Sequence, residues 1–442
     1  MRGISVLIAG AGLAGLTAAR HLAKRGASVT VIEARPRAGG RVLTTRKPFR
    51  FRQHAEAGGD LIDDSQEAMC ALIAELGLRR APILDSGFTG IRHDARGRLV
   101  SGKNGWLDLQ RRLQPEIRAL CASEQRWDGG VAEALARESV AEWLSRTRAP
   151  KSIREVATGL RGFFLADPED LSLLALVNQF AEDGVPGEER MFRILGGNDR
   201  LPAKLARSLG DRLHFDTVLR RVRQTARDVT AILESAGRAY EQRADYLVCA
   251  MPATTVRDVI FDPPMPEAQR QAVASLRYGA ATKTALQFNR AVWRKRGQPR
   301  GFGTGLPIGA VWDGNEEQAG GARAGILTLL AGGRASASTR AMLSNGGPAS
   351  ILRQITWLNL READLLAWSS MSWESDPWAR GGYAYFDPTF APFDRSWLAR
   401  PFARVFFAGE HTSLRWQGYM NGAVETGVRA AEEIAARERS RA

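Results

Sequence analysis

Apolar residues dominate Ile4–Ala9 and Ser28–Ile32, and between them a glycine-spaced turn opens a helical stretch that reaches about Arg25. This succession of strand, turn, helix and strand predicts one βαβ half-unit ending at Glu33. From Ser65 to about Leu78 the spacing predicts a helix with Ser65 as its N-cap. Helical or mixed segments continue to about residue 182, among them the amphipathic Val131–Arg146, so the middle of the chain is expected to be mostly α.

The character changes at Gly196-Gly197-Asn198-Asp199. A short helix is expected there, then strands over Leu213–Val222, Asp228–Ser235 and Tyr240–Cys249, with a turn near Gly237: a β-meander. Val248 to Pro252 has the look of a buried strand closed by proline. A mixed region of about 265–385 follows, with its least structured stretches at 297–305 and 314–325. A strand at Val405–Ala408 and a helix from about Gly422 to Arg437 end the pattern. Because the same kind of element opens and closes the sequence, two interleaved domains are expected.

Composition narrows the classes. With 442 residues, 44% hydrophobic and 25% charged, this is an ordinary globular chain. The net charge of +14 comes almost wholly from arginine, since only seven residues are lysine, and the arginines are scattered. Neither a basic stripe nor a reading motif is present, so nucleic acid is not an expected partner. Cys70, Cys121 and Cys249 are far apart, and His21, His54, His93, His214 and His411 show no ligand spacing, so neither a disulfide framework nor a metal site is expected. With no apolar run long enough for a membrane span, and no secretory leader pattern ahead of the first strand, a soluble cytoplasmic protein is expected.

The chemistry begins at Gly10-Ala11-Gly12-Leu13-Ala14-Gly15, a GxGxxG turn between strand and helix. Its glycines allow the tight turn, the close approach of a pyrophosphate and the packing of helix on strand, and the helix N-terminus faces the anion. Glu33, 18 residues past Gly15, can accept both ribose hydroxyls and would repel a 2′-phosphate, which favours FAD or NAD over NADP. Lys283, in the apolar run Ala280 to Phe288, is by pattern alone an edge-strand or snorkelling residue before it is a functional cation.

The segment Glu33-Ala34-Arg35-Pro36-Arg37-Ala38-Gly39-Gly40-Arg41 resembles the ribose-acid extension of the flavin amine oxidase family, which includes monoamine, polyamine and L-amino acid oxidases. Phe406-Phe407-Ala408-Gly409-Glu410-His411-Thr412 and Gly418-Tyr419-Met420-Asn421-Gly422-Ala423-Val424-Glu425 resemble its C-terminal pattern. The resemblance implies an α/β fold: a discontinuous Rossmann-like FAD-binding domain (1–75, 195–265 and 386–442) interleaved with an α+β substrate-binding domain (76–194 and 266–385). It implies noncovalent FAD, a small amine and dioxygen as partners, and no membrane, with a homodimer left open. Cofactor contacts are expected from Gly10, Gly12, Leu13, Ala14, Gly15, Glu33, Ala34, Arg35, Gly40, Arg41, Val218, Glu410, Gly418, Tyr419, Met420 and Ala423, and from the loop Glu56 to Leu61, namely Gly58, Gly59, Asp60 and Leu61.

The resemblance also implies that Lys283 holds a water against flavin N5 and that Tyr419 forms one wall of an aromatic cage. Ungapped counting puts Ala384 at the second wall, with Trp378 or Trp416 as substitutes; Lys283, Tyr419 and Trp416 are the catalytic candidates. Tyr383 stands where covalent members carry the flavin-linking cysteine. Leu61 stands where L-amino acid oxidases carry a carboxylate-clamping arginine, which favours an amine without an α-carboxylate. The expected reaction moves hydride from the amine α-carbon to flavin N5, giving an imine and peroxide. L-amino acid oxidation, a related FAD-dependent dehydrogenase or desaturase, and an FAD-stabilised scaffold are the alternatives.

Overall fold

The computed structural model describes residues 1–93, 98–102, 105–182, 190–318 and 324–440. Strand Ser5–Ala9 lies at the centre of a five-stranded parallel sheet, with Ser28–Ile32 and then Leu213–His214 on one side and Tyr246–Cys249 and then Val405–Phe407 on the other. Its apolar runs suit strands covered on both faces. Helices Leu13–Lys24 and Met420–Arg439 share one core with one face of this sheet, while the strands after residue 217 and Ala253–Val256 share the other.

Tyr240–Cys249, expected as one strand, is two. Arg238–Ala244, largely exposed, belongs to a four-stranded sheet with Val229–Ser235, Thr217–Gln224 and Ile260–Asp262, whereas fully buried Tyr246–Cys249 joins the parallel sheet. The chain changes sheets at Asp245, whose carboxylate accepts the Ser5 N–H at 2.7 Å and the Ser5 hydroxyl at 2.8 Å. The helix expected from Ser65 begins at Glu67, and Gln66 at its N-cap makes no side-chain capping bond. The amphipathic run Val131–Arg146 splits into Gly130–Ala136 and Val140–Arg146, because Ser139 and Glu142 form a reciprocal capping box that starts a new helix. Ser139→Ala will therefore lower stability by about 1 kcal/mol, measurable in urea unfolding.

The region expected to be mostly α also supplies strands. Phe88–His93 and Leu99–Gly102 pair with each other and, through Phe88–His93, with Gly301–Thr304, a strand inside the stretch expected to be loop. They complete a seven-stranded sheet with Ala310–Asp313, Gly325–Gly332, Ala281–Phe288 and Leu365–Ser372. The side chain of His93 and loop positions 319–323 lie outside the described residues. Helices from Trp106 to Glu182 form a separate apolar core beside this sheet. Lys283 is neither at an edge nor snorkelling: every residue of Ala281–Phe288 is buried, and Lys283 pairs with Leu330 on one side and Met371 on the other. No helix among the described residues is long and apolar enough to cross a membrane.

Candidate active site

One long cavity of about 440 Å³, within the range of ligand sites, runs from the first turn of helix Leu13–Lys24 past Lys283 to Trp106 and Trp127. At one end Gly10 takes φ +108°, and a Cβ there would stand 2.9 Å from the Ala250 carbonyl oxygen. Gly12 is different: its backbone is extended, and a Cβ would meet nothing within 4 Å. It leaves open space at a helix N-terminus with no side-chain cap and no acidic residue in its first turn, which is the arrangement an anion requires. Glu33 accepts the Ala11 N–H at 2.8 Å on one oxygen and the Arg35 N–H at 2.9 Å on the other, which fixes the carboxylate and leaves a further lone pair on each. Arg35 is tied to Asp376, and Arg37 spends its guanidinium on the carbonyls of Ala38, Gly40 and Val42.

A second cradle forms where the C-terminal helix begins. Glu410 accepts the Arg41 guanidinium at 2.9 Å and the Gly418 N–H at 2.8 Å, and Arg41 also donates to the Gly382 carbonyl at 2.7 Å. Helix Met420–Arg439 likewise starts without a side-chain cap or an acidic first turn, and Met420 and Ala423 line the cavity. Its N-terminus offers positive potential to a group carrying developing negative charge. A Cβ at Gly58 would sit 1.9 Å from the Arg41 carbonyl oxygen and one at Gly59 would sit 2.8 Å from the Met420 sulfur. These glycines thus let their loop close against Arg41 and the helix start, rather than only clearing room for a ring.

Between the cradles stands a buried charge network. The Lys283 ammonium donates to Asp60 Oδ2 at 2.8 Å and to the Gly58 carbonyl at 2.9 Å, and lies 5.2 Å from the centre of the Trp312 ring. Asp60 Oδ2 also accepts the Trp312 indole N–H at 3.0 Å, and Oδ1 accepts Arg193 Nε at 2.5 Å. Arg193 continues to Glu317 at 3.0 Å and to the Asp313 carbonyl at 3.1 Å. Burial alone would raise the Asp60 carboxyl, but Arg193 and Lys283 outweigh it and hold it below the usual carboxylate range. Burial lowers Lys283, with Asp60 as the main opposing influence. Glu56, on the same loop, is pushed up to about 8 by burial and by Asp60.

Beyond Lys283 the cavity wall is chiefly aromatic. Trp106, Phe163, Trp312, Tyr383 and Tyr419 line it with Leu330, and Asn178 and Gln179 add neutral polar groups. Trp106 and Phe163 meet edge to face at 5.1 Å. The Tyr383 hydroxyl donates to the Phe163 carbonyl, and Gln179 Nε2 lies 3.5 Å from the Tyr419 hydroxyl.

The sequence pattern of the family described as flavin containing amine oxidoreductase matches residues 13–435. The chain belongs to this family. It is 29% identical to a Mycobacterium tuberculosis protein named "Putative flavin-containing monoamine oxidase AofH", over 98% of this chain and 97% of that one. It is 26% identical to amine oxidase B of Sus scrofa, over 97% and 85% respectively. Among solved structures, cyclohexylamine oxidase from Brevibacterium oxydans superposes with a TM-score of 0.87 at 24% identity, covering 99% of each chain, which shows a shared fold.

For this flavin amine oxidoreductase the cofactor is FAD, and both cradles fit it: open space at an uncapped helix start, a fixed carboxylate at each end of the groove, and glycines where a side chain would intrude. Of the residues expected from sequence, all but two line the cavity. Gly15 faces inward, where a Cβ would come within 1.9 Å of the Gly10 carbonyl oxygen, so it is a packing glycine of the turn. Trp416, expected as catalytic, is buried behind Tyr419, edge to face at 5.5 Å. Trp378, the other substitute expected for the second cage wall, lines the cavity, and its backbone N–H bonds Asp376, the partner of Arg35. Trp106, Phe163, Gln179 and Trp312 were not foreseen, since they come from segments with no motif. Arg193 gave one faint signal, a cation in the otherwise apolar strand Met191–Ile194.

Proposed function

We propose that this flavin amine oxidoreductase oxidises a small neutral amine lacking an α-carboxylate, with noncovalent FAD and with dioxygen as the final acceptor, to give an imine and hydrogen peroxide. FAD, when bound, supplies the hydride acceptor and the path for two electrons to dioxygen. The observation that carries the substrate reading is the wall beyond Lys283: aromatic and amide groups, while the buried Arg193 is not among the lining residues and donates to Asp60, Glu317 and the Asp313 carbonyl. Among the described residues, that wall offers a carboxylate beside the reacting carbon no buried guanidinium free of protein partners. Arg395 and Arg415 line the cavity, but the Arg395 guanidinium lies over Trp127 at 4.0 Å and donates to the Leu414 carbonyl, and the exposed Arg415 lies over Trp416 at 5.1 Å.

The chain's own tasks follow from this wall. Trp106, Phe163, Trp312, Tyr383 and Tyr419 exclude water and favour the uncharged amine, because an ammonium would lose its hydration against apolar rings without gaining an anion. Glu33 and Glu410 would hold cofactor hydroxyls, the N-terminus of helix Leu13–Lys24 would receive the pyrophosphate, and the Val218 backbone would meet the adenine. None of Cys70, Cys121 and Cys249 lines the cavity, which supports noncovalent binding. The proposed division into an FAD domain of 1–75, 195–265 and 386–442 and a substrate domain of 76–194 and 266–385 is supported by sheet membership: the parallel sheet draws on all three parts of the first, the seven-stranded sheet only on the second. Cytoplasmic residence belongs to the same reading.

The test is an anaerobic titration of the reconstituted protein with primary, secondary and polyamines and with L-amino acids. Amines lacking a carboxylate should bleach the flavin absorbance, and admitted air should restore it with stoichiometric peroxide. Bleaching by amino acids alone would overturn the substrate reading, and bleaching without peroxide would overturn dioxygen as acceptor.

A further inference from the structure

We propose that Asp60 is the positioning residue that keeps Lys283 a fixed ammonium donor at the cavity wall, rather than a cofactor ligand or a partner that frees Lys283 to act as a base. This deepens the functional reading above, because it states in which protonation state the central cation of the site works.

The hydrogen-bond inventory carries the argument. Asp60 receives three donors, one each from Arg193, Lys283 and Trp312, and all three belong to the protein. They occupy three of roughly four lone-pair directions of a carboxylate, so Asp60 has little left to offer an occupant of the cavity. Lys283 is the converse case. An ammonium has three N–H donors, and two are used, on Asp60 Oδ2 and the Gly58 carbonyl. The remaining one belongs to a side chain that lines the cavity. A neutral amine would present only two N–H groups, and both are consumed by those protein acceptors. Donation into the cavity therefore requires the protonated form.

The groups facing Lys283 act in opposite senses. Asp60 and Glu56 face it from the loop below the strand, Arg193 faces it from Met191–Ile194, and Trp312 from Ala310–Asp313 brings a ring face. Its strand neighbours in register, Leu330 and Met371, are uncharged. Asp60 is the only one of these groups in direct ionic contact with the ammonium. Arg193 repels Lys283, yet it holds Asp60 from the opposite oxygen, so the carboxylate is clamped between two cations that are both 5% exposed or less. Burial favours loss of the Lys283 proton, and Asp60 opposes that loss. Without the carboxylate, burial and Arg193 would act together.

With seven lysines in the chain, lysine labelled with ¹³C at Cε gives a spectrum simple enough to titrate, and Lys283→Met assigns the signal. In the holoenzyme, Asp60→Asn should lower the Lys283 midpoint by at least about one pH unit, a tenfold change in acid dissociation. The alkaline limb of flavin reoxidation should move down with it. Trp312→Phe, which removes one donor from Asp60 without changing any charge, should move the midpoint measurably, by less than half as much. A Lys283 midpoint unchanged in Asp60→Asn would overturn the proposal. Should that variant fail to fold, a Trp312→Phe midpoint identical to the parent's would do the same. The midpoint is read without any amine present, so its outcome is separate from that of the substrate screen.

Discussion

Lys283→Met will slow flavin reoxidation by dioxygen about 10²-fold at neutral pH, while the protein keeps its FAD and its yellow colour. The magnitude is that of removing one preorganised donor from a buried reaction site. Methionine suits the test because its unbranched chain can follow the path of the lysine stem between Leu330 and Met371 without a new branch to accommodate. Asp60 is not orphaned by the change, because Arg193 and the Trp312 indole still donate to it. Some stability will be lost with the buried pair, so stopped-flow rates belong at a temperature well below the midpoint of unfolding. Reduction by amine and reoxidation by air are to be measured separately. Unchanged rates in both half-reactions would remove Lys283 from the chemistry and leave it a structural cation.

The second large effect separates cofactor binding from folding within one six-residue turn. Gly12→Ala will yield a folded, colourless protein whose FAD affinity is lower by about 10²-fold, roughly 3 kcal/mol. The backbone at Gly12 is extended and accepts a side chain, and the added methyl meets no protein atom within 4 Å. It intrudes only on the space that a pyrophosphate needs next to the helix N-terminus. Gly15→Ala gives the opposite result. Its methyl would lie 1.9 Å from the Gly10 carbonyl oxygen and 3.2 Å from the Ala250 side chain, so the turn itself must open. Circular dichroism, thermal melting and flavin fluorescence on both variants decide the matter: a colourless Gly15→Ala with parental stability, or a yellow Gly12→Ala, would contradict the assignment.

These variants show how unevenly the site was legible. The turn at Gly10 to Gly15, Glu33 and the start of the C-terminal helix could be read because each does its work through local backbone geometry and neighbouring residues. Glu410 was legible for the same reason: its partner Gly418 lies eight residues away, inside the same motif. Trp416 misled because a side chain's surroundings cannot be read from its sequence neighbours: the indole is buried against Tyr419 and is not among the residues lining the cavity. The capping box at Ser139 was written plainly in the sequence yet masked by an amphipathic pattern that continues across it. The switch at Asp245 was hidden because two strands of different sheets follow one another without a turn.

Lys283 marks the boundary most clearly. From sequence it was a rare lysine in an apolar strand, with a surface role the simplest reading. Its importance comes from partners 223 residues away at Asp60 and, through Asp60, a further 133 residues along at Arg193. By itself the sequence determined a dinucleotide site and the strand and helix types that bear the cradles, because nucleotide recognition depends on short-range turn geometry, and its motifs carried the family resemblance that implied FAD. Only the tertiary structure decided which charges stand together behind the reacting site and which aromatic rings close it. Burial of a cation is tolerable only where folding brings an anion to it, and that pairing is a property of three strands and a loop meeting in space.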